Sequence, residues 1–137
     1  MNLKKEDRDA LVAVRLQRTK ETIEELKSNM KLGYWRIAAN RLYYACYYAV
    51  SALLIKNNLT THTHSGVMNQ LSEHFIKKGL LTKEHGRFFK GLYELRQDGD
   101  YGDWKIIREE DIVPLLEPAQ KFIEDIEKLI NALNPNI

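Results

Sequence analysis

The stretch from Ala39 to Leu54, ANRLYYACYYAVSALL, decides the fold. Apolar and aromatic residues fill most of its positions, and the run from Leu42 to Ile55 carries no charged side chain. That run is too short to span a bilayer as a helix, which takes about 20 residues. A helix that is apolar on most of its faces is instead covered by other elements of the protein. The stretch therefore predicts a buried helix.

The segments on either side of this stretch show helical spacing, with apolar residues three and four positions apart. A first helix is predicted from about Lys5 to Asn29, with Gly33 as its stop. The second helix, which holds the stretch above, runs into Asn57 and Asn58, residues that tolerate turn conformations. The stripe of the first helix consists of Val12, Leu16, Thr19, Ile23, Leu26 and Met30.

Two shorter helices are predicted after the polar loop that follows Asn58. Ser65 is expected to cap a third helix, and Gly79 is expected to end it. Thr82 is expected to cap a fourth helix, with Gly99 at the position just past its last turn.

A fifth helix is predicted from the apolar stripe between Ile112 and Ile130. Pro114 fits its first turn, whereas Pro118 is expected to bend it. Strand-like alternation and internal repeats are absent from the sequence. The sequence therefore predicts an all-α protein, a single domain over residues 1–137, folded as an antiparallel bundle of about five helices.

The bulk composition is that of a folded globular protein, with 44% hydrophobic and 29% charged residues. The formal charge is only +2, whereas a nucleic-acid binder that relies on overall charge is usually more basic, so only a local basic patch is left open. The one cysteine, Cys46, cannot form an internal disulfide. The N-terminal segment lacks the apolar region of a secretion signal, so the sequence predicts a cytoplasmic protein.

The second helix carries polar residues that need partners if the helix is buried. Its four tyrosines are explained as core or interface residues whose hydroxyls find partners at the edge of the bundle. Arg41 shares a stripe with Ala38 and Ala45, and a buried guanidinium cannot remain unpaired. Either an acidic side chain pairs with Arg41, or Arg41 faces a cleft that binds an anion.

The loop THTHSG places His62 and His64 two positions apart. Alternating histidines can hold a metal ion, but no cysteine or carboxylate accompanies them at the usual ligand spacing, and no metal site is predicted. His64, Ser65 and Gly66 begin a predicted helix, where free backbone N–H groups favour an anion. The alternative is that this segment is a simple helix cap.

A second candidate stretch is LRQDGDYGDW, residues 95–104. Arg96 lies in the last turn of the fourth helix, where a cation complements the helix dipole. Asp100 lies four residues further on and can pair with Arg96 if the helical turn persists that far. This pairing explains Arg96 and one aspartate without any function, but it leaves Tyr101 to Trp104 unexplained.

Taken together, ANRLYYACYYAVSALL, THSGV and LYELRQDGDYGDW resemble the small prokaryotic HEPN (higher eukaryotes and prokaryotes nucleotide-binding) domain proteins. The resemblance runs through essentially the whole chain. It implies an up-and-down helical bundle that usually dimerises and places the ends of the second and fourth helices around a shared cleft.

Many HEPN proteins are metal-independent ribonucleases whose motif is an arginine followed, after four to six residues, by a histidine. Arg96 matches the arginine, but the positions expected for the histidine hold Tyr101, Gly102 and Asp103. A tyrosine titrates at about pH 10, so a tyrosine base of neutral pKa would need about 4 kcal/mol of preferential stabilisation of its phenolate. The nearby aspartates oppose that shift and repel an RNA phosphate. The departure from the motif counts against nuclease activity.

Two hypotheses follow from the resemblance. The favoured one is a non-catalytic HEPN binding module without a cofactor, acting as a homodimer with a nucleotidyltransferase-type partner in a toxin–antitoxin-like or nucleotide-linked system, with Tyr101 as a candidate target for nucleotidylation. The alternative is an atypical ribonuclease with Arg96 as phosphate clamp and His64 or Tyr101 as the general base. The residues expected to bind the nucleotide or phosphate are Arg41, Tyr44, His64, Ser65, Gly66, Arg96, Asp100 and Tyr101.

Overall fold

The computed structural model describes residues 3–59 and 61–132, and within these the chain forms five α-helices and no strand. The helices are α1 (Lys5–Leu32), α2 (Trp35–Lys56), α3 (His64–Leu71), α4 (Lys83–Tyr101) and α5 (Glu109–Ala132). A π-helical turn, Ser72–Ile76, continues α3. The all-α bundle predicted from the sequence is confirmed.

The helix α2 lies at the centre of the bundle and packs against the other four α-helices. Leu42, Ala45, Cys46, Ala49 and Leu53 have no exposed surface, as expected for a helix that is apolar on most of its faces. Removing this much apolar surface from water is the main favourable contribution to folding. None of the described helices is both long enough and apolar enough to cross a membrane.

Three predicted helix boundaries are confirmed. Gly33 follows α1 with φ +74°, a left-handed conformation that glycine adopts without strain. Asn58, just beyond α2, has φ +60°. Thr82 caps α4 through a reciprocal pair of hydrogen bonds, in which His85 N donates to Thr82 Oγ1 and Thr82 N donates to His85 Nδ1.

The predicted cap of α3 is wrong by two residues. Thr63, not Ser65, is the N-cap, and its Oγ1 accepts the N–H of Gly66 at 3.0 Å. The helix starts at His64, so Ser65 already lies in its first turn. Gly66 is required here for space, because a Cβ at this position would lie 2.0 Å from Thr61 Oγ1.

The predicted end of α4 at Gly99 is also wrong, because the helix continues to Tyr101 and Gly102 is its C-cap. Gly99 is buried against α2, where an added Cβ would lie 3.3 Å from the carbonyl oxygen of Arg36. The guanidinium of Arg36 donates to four carbonyl groups in the last turn of α4 and just beyond it. Its acceptors are the carbonyl oxygens of Gly99 (2.8 Å), Asp98 (3.3 Å), Gly102 (3.3 Å) and Lys105.

The helix α5 begins earlier than its apolar stripe suggests. The carboxylate of Asp111 accepts the N–H of Arg108 at 2.9 Å, which satisfies a donor at the residue preceding the helix. Because the helix starts at Glu109, Pro114 lies in its second turn and the predicted first-turn position is wrong. The bend expected at Pro118 stays a prediction.

Candidate functional site

The residues that the sequence singles out meet where the C-terminal turn of α4 packs against α2 and the start of α3. We call this group the Arg96 cluster. It consists of Arg96, Asp100 and Tyr101 of α4, Asn40, Tyr43 and Tyr44 of α2, and His64 of α3.

Arg96 is half-buried, with 17% of its side chain exposed, and lies against two aromatic rings. Its guanidinium carbon is 5.3 Å from the centre of the Tyr44 ring and 5.6 Å from that of Tyr101. Contacts of this kind hold a guanidinium in place through the negative face of the ring. The arrangement places one cation between a ring of α2 and a ring of α4.

Asp100 is the acidic partner of Arg96, because α4 continues far enough to bring the two together. Arg96 Nε lies 2.9 Å from Asp100 Oδ2, although the buried Nε–H does not point along a hydrogen bond. The same carboxylate oxygen accepts the Nδ2 of Asn40 at 3.1 Å. Asp100 therefore ties the last turn of α4 to α2.

The two Nη groups of Arg96 make no hydrogen bond and no ion pair with the described residues. This edge of the guanidinium is the one that binds a carboxylate or phosphate through two parallel hydrogen bonds. Arg96 is thus oriented by its neighbours, while its two Nη groups, which we call its forked edge, have no partner among the described residues.

Arg41 is arranged differently, because all three of its donor nitrogens already have acceptors. Its Nε and Nη2 donate to Asn40 Oδ1 at 3.0 and 2.7 Å, and its Nη1 pairs with Glu25 Oε1 of α1 at 3.0 Å. Of the two explanations that the sequence leaves open for Arg41, the structure supplies the acidic partner. Arg41 also lies 5.5 Å from the Tyr44 ring, so it supports the ring on which Arg96 rests.

His64 joins the cluster from α3. Its ring stacks on Tyr93 of α4 with centroids 3.5 Å apart and an angle of 11° between the planes. Its Nδ1 lies 2.9 Å from the hydroxyl oxygen of Tyr43. Two contacts of this quality fix both the plane and the rotation of the imidazole.

The electrostatics of the cluster favour neutral forms of His64 and Tyr43. Burial and the positive charge of Arg96 lower the pKa of His64 below its ordinary value. Burial, with the neighbouring tyrosines, raises the pKa of Tyr43 far above its ordinary value. Since Arg96 affects both groups, the guanidinium, imidazole and phenol form one electrostatic unit.

Ser65 and Gly66 stay at the start of α3, where the cap explains their backbone. The N–H of Gly66 already donates to Thr63, so it is not available to an anion in this conformation. Ser65 Oγ lies 3.5 Å from Thr63 Oγ1, at the limit of a hydrogen bond. His64 is the member of this segment that faces the other elements of the cluster.

Tyr101 occupies the first of the three positions expected for the motif histidine, and 68% of it is exposed. One side of its ring contacts Arg96, and the rest faces solvent. Trp104, three residues further on, is 97% exposed. Within residues 3–59 and 61–132 there is no group of three or more His, Cys, Asp or Glu side chains placed to hold a metal ion.

The sequence analysis gave Arg36 and Tyr93 no role in the site, and it placed Tyr43 only among the core or interface tyrosines. Arg36 holds the end of α4, while Tyr43 and Tyr93 hold His64. Their contacts join residues between 21 and 69 positions apart, so no pattern of neighbouring residues points to these contacts. Only Arg36 carries a local signal. A cation in the first turn of a helix is unfavourable next to the helix dipole, so the position of Arg36 at the start of α2 indicates a partner elsewhere.

Comparison with known proteins identifies relatives of this chain. The UPF0332 protein of Thermotoga maritima is 35% identical over 127 residues, which cover 93% of this chain and 96% of that protein. A Methanocaldococcus jannaschii protein whose name describes it as a candidate toxin is 26% identical over 119 residues, 87% of this chain and 81% of that protein.

Among solved structures, TT1696 from Thermus thermophilus superposes with a TM-score of 0.73 and 15% sequence identity, covering 86% of this chain and 97% of that one. At that identity the likeness establishes the fold. The HEPN domain family matches residues 12–129, which include every helix that contributes to the Arg96 cluster. The chain therefore belongs to the HEPN domain family.

Proposed function

We propose that this HEPN domain is a non-catalytic binding module that takes the phosphate group of a nucleotide at the Arg96 cluster. The observation that carries this proposal is the uncommitted forked edge of Arg96, held between the rings of Tyr44 and Tyr101. A guanidinium so oriented binds a phosphate through two hydrogen bonds, and the exposed ring of Tyr101 offers a stacking surface for a base.

Asp100 lowers the affinity of this site for phosphate, so that the phosphate binds weakly and reversibly. Its carboxylate holds Arg96 but repels a second anion at short range, so the site binds a phosphate less tightly than an arginine without an acidic neighbour. A module that must exchange its ligand or partner benefits from such a balance.

The module works in a toxin–antitoxin-like system together with a nucleotidyltransferase-type partner. The relative named as a candidate toxin supports the first part of this proposal. Tyr101 supports the second part, because it is exposed on the surface beside Arg96. There a partner enzyme can transfer a nucleoside monophosphate from a nucleoside triphosphate to the Tyr101 hydroxyl, with release of pyrophosphate. Arg96 would then neutralise the phosphate attached to Tyr101.

A homodimer is part of this proposal. Tyr34 and Ile37 are about half exposed beside the turn between α1 and α2. With Ile107 they line one hollow on that surface. Apolar surface of this kind is typical of protein contacts. Sedimentation of the purified protein, compared with an Ile37→Asp variant, tests whether this surface joins two copies.

A ribonuclease remains the second candidate function, and the position of His64 is the observation that favours it. His64 lies in the same electrostatic unit as Arg96, so a histidine is present near the arginine although the motif position holds Tyr101. A neutral imidazole beside a phosphate-binding arginine is able to accept the proton of a ribose 2′-hydroxyl.

Incubation of the protein with end-labelled single-stranded RNA, with magnesium or with EDTA, separates the two functions. We expect binding that weakens in an Arg96→Ala variant of confirmed fold, with no cleavage under either condition. Cleavage by the wild type that leaves cyclic-phosphate ends and disappears in the variant would refute the binding-module proposal and establish the ribonuclease. Mass spectrometry of Tyr101 in protein isolated with its native partner tests nucleotidylation, and a Tyr101→Phe variant is its control.

A further inference from the structure

The hydroxyl of Tyr43 determines the state of His64. Tyr43 is 2% exposed, and among the described residues its hydroxyl has one hydrogen-bonding neighbour, His64 Nδ1 at 2.9 Å. The phenol keeps its proton at neutral pH, because burial raises its pKa. The neutral phenol and the neutral imidazole each carry one exchangeable hydrogen. One of these hydrogens lies between the phenol oxygen and Nδ1, and the other lies either on the phenol oxygen, pointing away from the imidazole, or on Nε2.

Two arrangements are possible, and they differ in what they leave unpaired. If Nδ1–H donates to the phenol, the hydroxyl hydrogen of the buried Tyr43 has no acceptor among the residues that the structure describes. If the hydroxyl donates to Nδ1, both groups are satisfied and the imidazole proton sits on Nε2. Leaving a buried donor unpaired is costly, so the second arrangement is favoured.

The proton on Nε2 has no acceptor within residues 3–59 and 61–132, where Nε2 makes no hydrogen bond. His64 is half-buried and its ring is stacked on Tyr93, so a change of ring plane would lose the stack, and a 180° turn within that plane would lose the contact of Nδ1 with Tyr43. The cluster thus holds a second oriented donor whose partner is not supplied by the described chain.

We propose that Tyr43 is a positioning residue that holds His64 as the neutral Nε2–H tautomer, which donates to an oxygen of the phosphate group of a nucleotide bound at Arg96. This inference rests on the proposed function and deepens it. It assigns His64 the role of a donor for a phosphate oxygen, not that of a general base. A nitrogen that already carries a proton cannot take one from a ribose hydroxyl.

The tautomer is measured first, because it requires no ligand. Two-bond ¹H–¹⁵N spectra of the wild type are expected to show His64 protonated at Nε2, with a protected Tyr43 hydroxyl proton close to the ring. His62, which is exposed in the same loop, serves as the internal reference. Protonation of His64 at Nδ1 in the wild type would overturn the inference, whatever the protein binds.

The donor role is measured by titrating AMP into a series of variants. His64→Gln keeps an N–H donor at the end of the side chain but cannot act as a base, so it is expected to bind within about twofold of the wild type, while His64→Ala binds roughly three- to tenfold more weakly. Tyr43→Phe is expected to weaken AMP binding by a similar factor. In this variant His64 should no longer favour protonation at Nε2 over protonation at Nδ1. Equal binding by His64→Ala and the wild type would overturn the donor role.

The outcomes of the two measurements distinguish this inference from the proposed function. If AMP binding by the wild type is absent while His64 is protonated at Nε2, the proposed function fails and the phosphate-donor role fails with it, but the tautomer assignment stands. If Arg96→Ala loses AMP binding while the His64 variants do not, the proposed function stands and the donor role fails. Because Tyr43→Phe alters the core, the thermal unfolding of this variant is recorded as a control. If Tyr43→Phe is unfolded, the comparison of His64→Gln with His64→Ala decides whether His64 acts as a donor.

Discussion

The two arginines of the site, Arg96 and Arg41, are predicted to respond very differently to substitution. Both lie against Tyr44, but Arg96 has an uncommitted pair of Nη groups, while every donor nitrogen of Arg41 is engaged by Asn40 or Glu25. Replacement of Arg96 should therefore remove phosphate binding, and replacement of Arg41 should not. The comparison is matched in residue type and in its shared aromatic neighbour.

The magnitude follows from the hydrogen bonds that each guanidinium can still make. A hydrogen bond to a charged group contributes about 1.5–3 kcal/mol, and the partial exposure of Arg96 argues for the lower end of that range. Loss of two such bonds in Arg96→Ala should weaken phosphate binding by about 3 kcal/mol, or roughly 150-fold. Arg96→Lys keeps the charge without the planar fork and should weaken binding roughly tenfold.

Removal of Asp100 should act in the opposite direction. Asp100→Asn leaves a hydrogen-bonding side chain next to Arg96 and Asn40 but removes the negative charge 2.9 Å from the guanidinium. Phosphate binding should strengthen by about 0.5–1 kcal/mol, or roughly two- to fivefold, which is the range of a partly exposed ion pair.

Calorimetric titration of AMP into the wild type and into Arg96→Ala, Arg96→Lys, Asp100→Asn and Arg41→Gln measures these effects, with circular dichroism as the check on folding. Arg41→Gln should bind within about threefold of the wild type, because its ion pair with Glu25 is half exposed and contributes at most about 1 kcal/mol to stability. The reasoning is refuted if Arg41→Gln loses as much binding as Arg96→Ala, or if Arg96→Lys binds as well as the wild type.

Three further predictions concern stability and reactivity. Apart from its chain neighbours and the backbone of its own helix, no described residue lies within 4 Å of a Cβ added at Gly91, so Gly91→Ala should raise the free energy of unfolding by about 0.5–1 kcal/mol. Gly99→Ala, in the same helix but against α2, should lose that gain, and equal denaturation midpoints for the two variants would contradict the packing. The pKa of His64 is lower in the folded protein than its unfolded value of about 6.5, so the unfolded state binds more protons and stability should fall as the pH drops through and below that value, an effect that His64→Gln removes. Cys46 is fully buried and burial raises the pKa of its thiol, so Ellman's reagent should react with it in denaturant but not in the native protein, where reaction at the rate of a free thiol would refute its burial.

One ion pair of the candidate site and one helix cap follow from local sequence, and both predictions are confirmed in the structure. The pairing of Arg96 with Asp100 depends on one turn of helix, and the capping of α4 by Thr82 depends on the residues that immediately follow it. Both arise between positions three or four apart, where helix geometry alone fixes the separation of the side chains. The family resemblance likewise follows from residues on α2, α3 and α4.

The errors at Gly99 and Ser65 have different physical causes. A glycine near the end of a periodic segment is usually a helix stop, but Gly99 is a point of close approach to α2, and Arg36 satisfies the carbonyl groups beyond it. At α3, Thr63 takes the cap predicted for Ser65 because the helix begins at His64. Only at Gly99 do a side chain and backbone outside the local pattern decide where the helix ends.

The sequence by itself determined that this protein is an all-α bundle with a buried central helix, because the spacing of apolar residues and the length of an uncharged run depend only on local order. The tertiary structure alone decided that Arg41 is paired with Glu25 while the forked edge of Arg96 stays uncommitted, and that His64 joins the same cluster. These outcomes depend on which residues of α1, α3 and α4 come within hydrogen-bonding distance of α2. Such distances are set by the packing of whole helices, which no short stretch of sequence specifies.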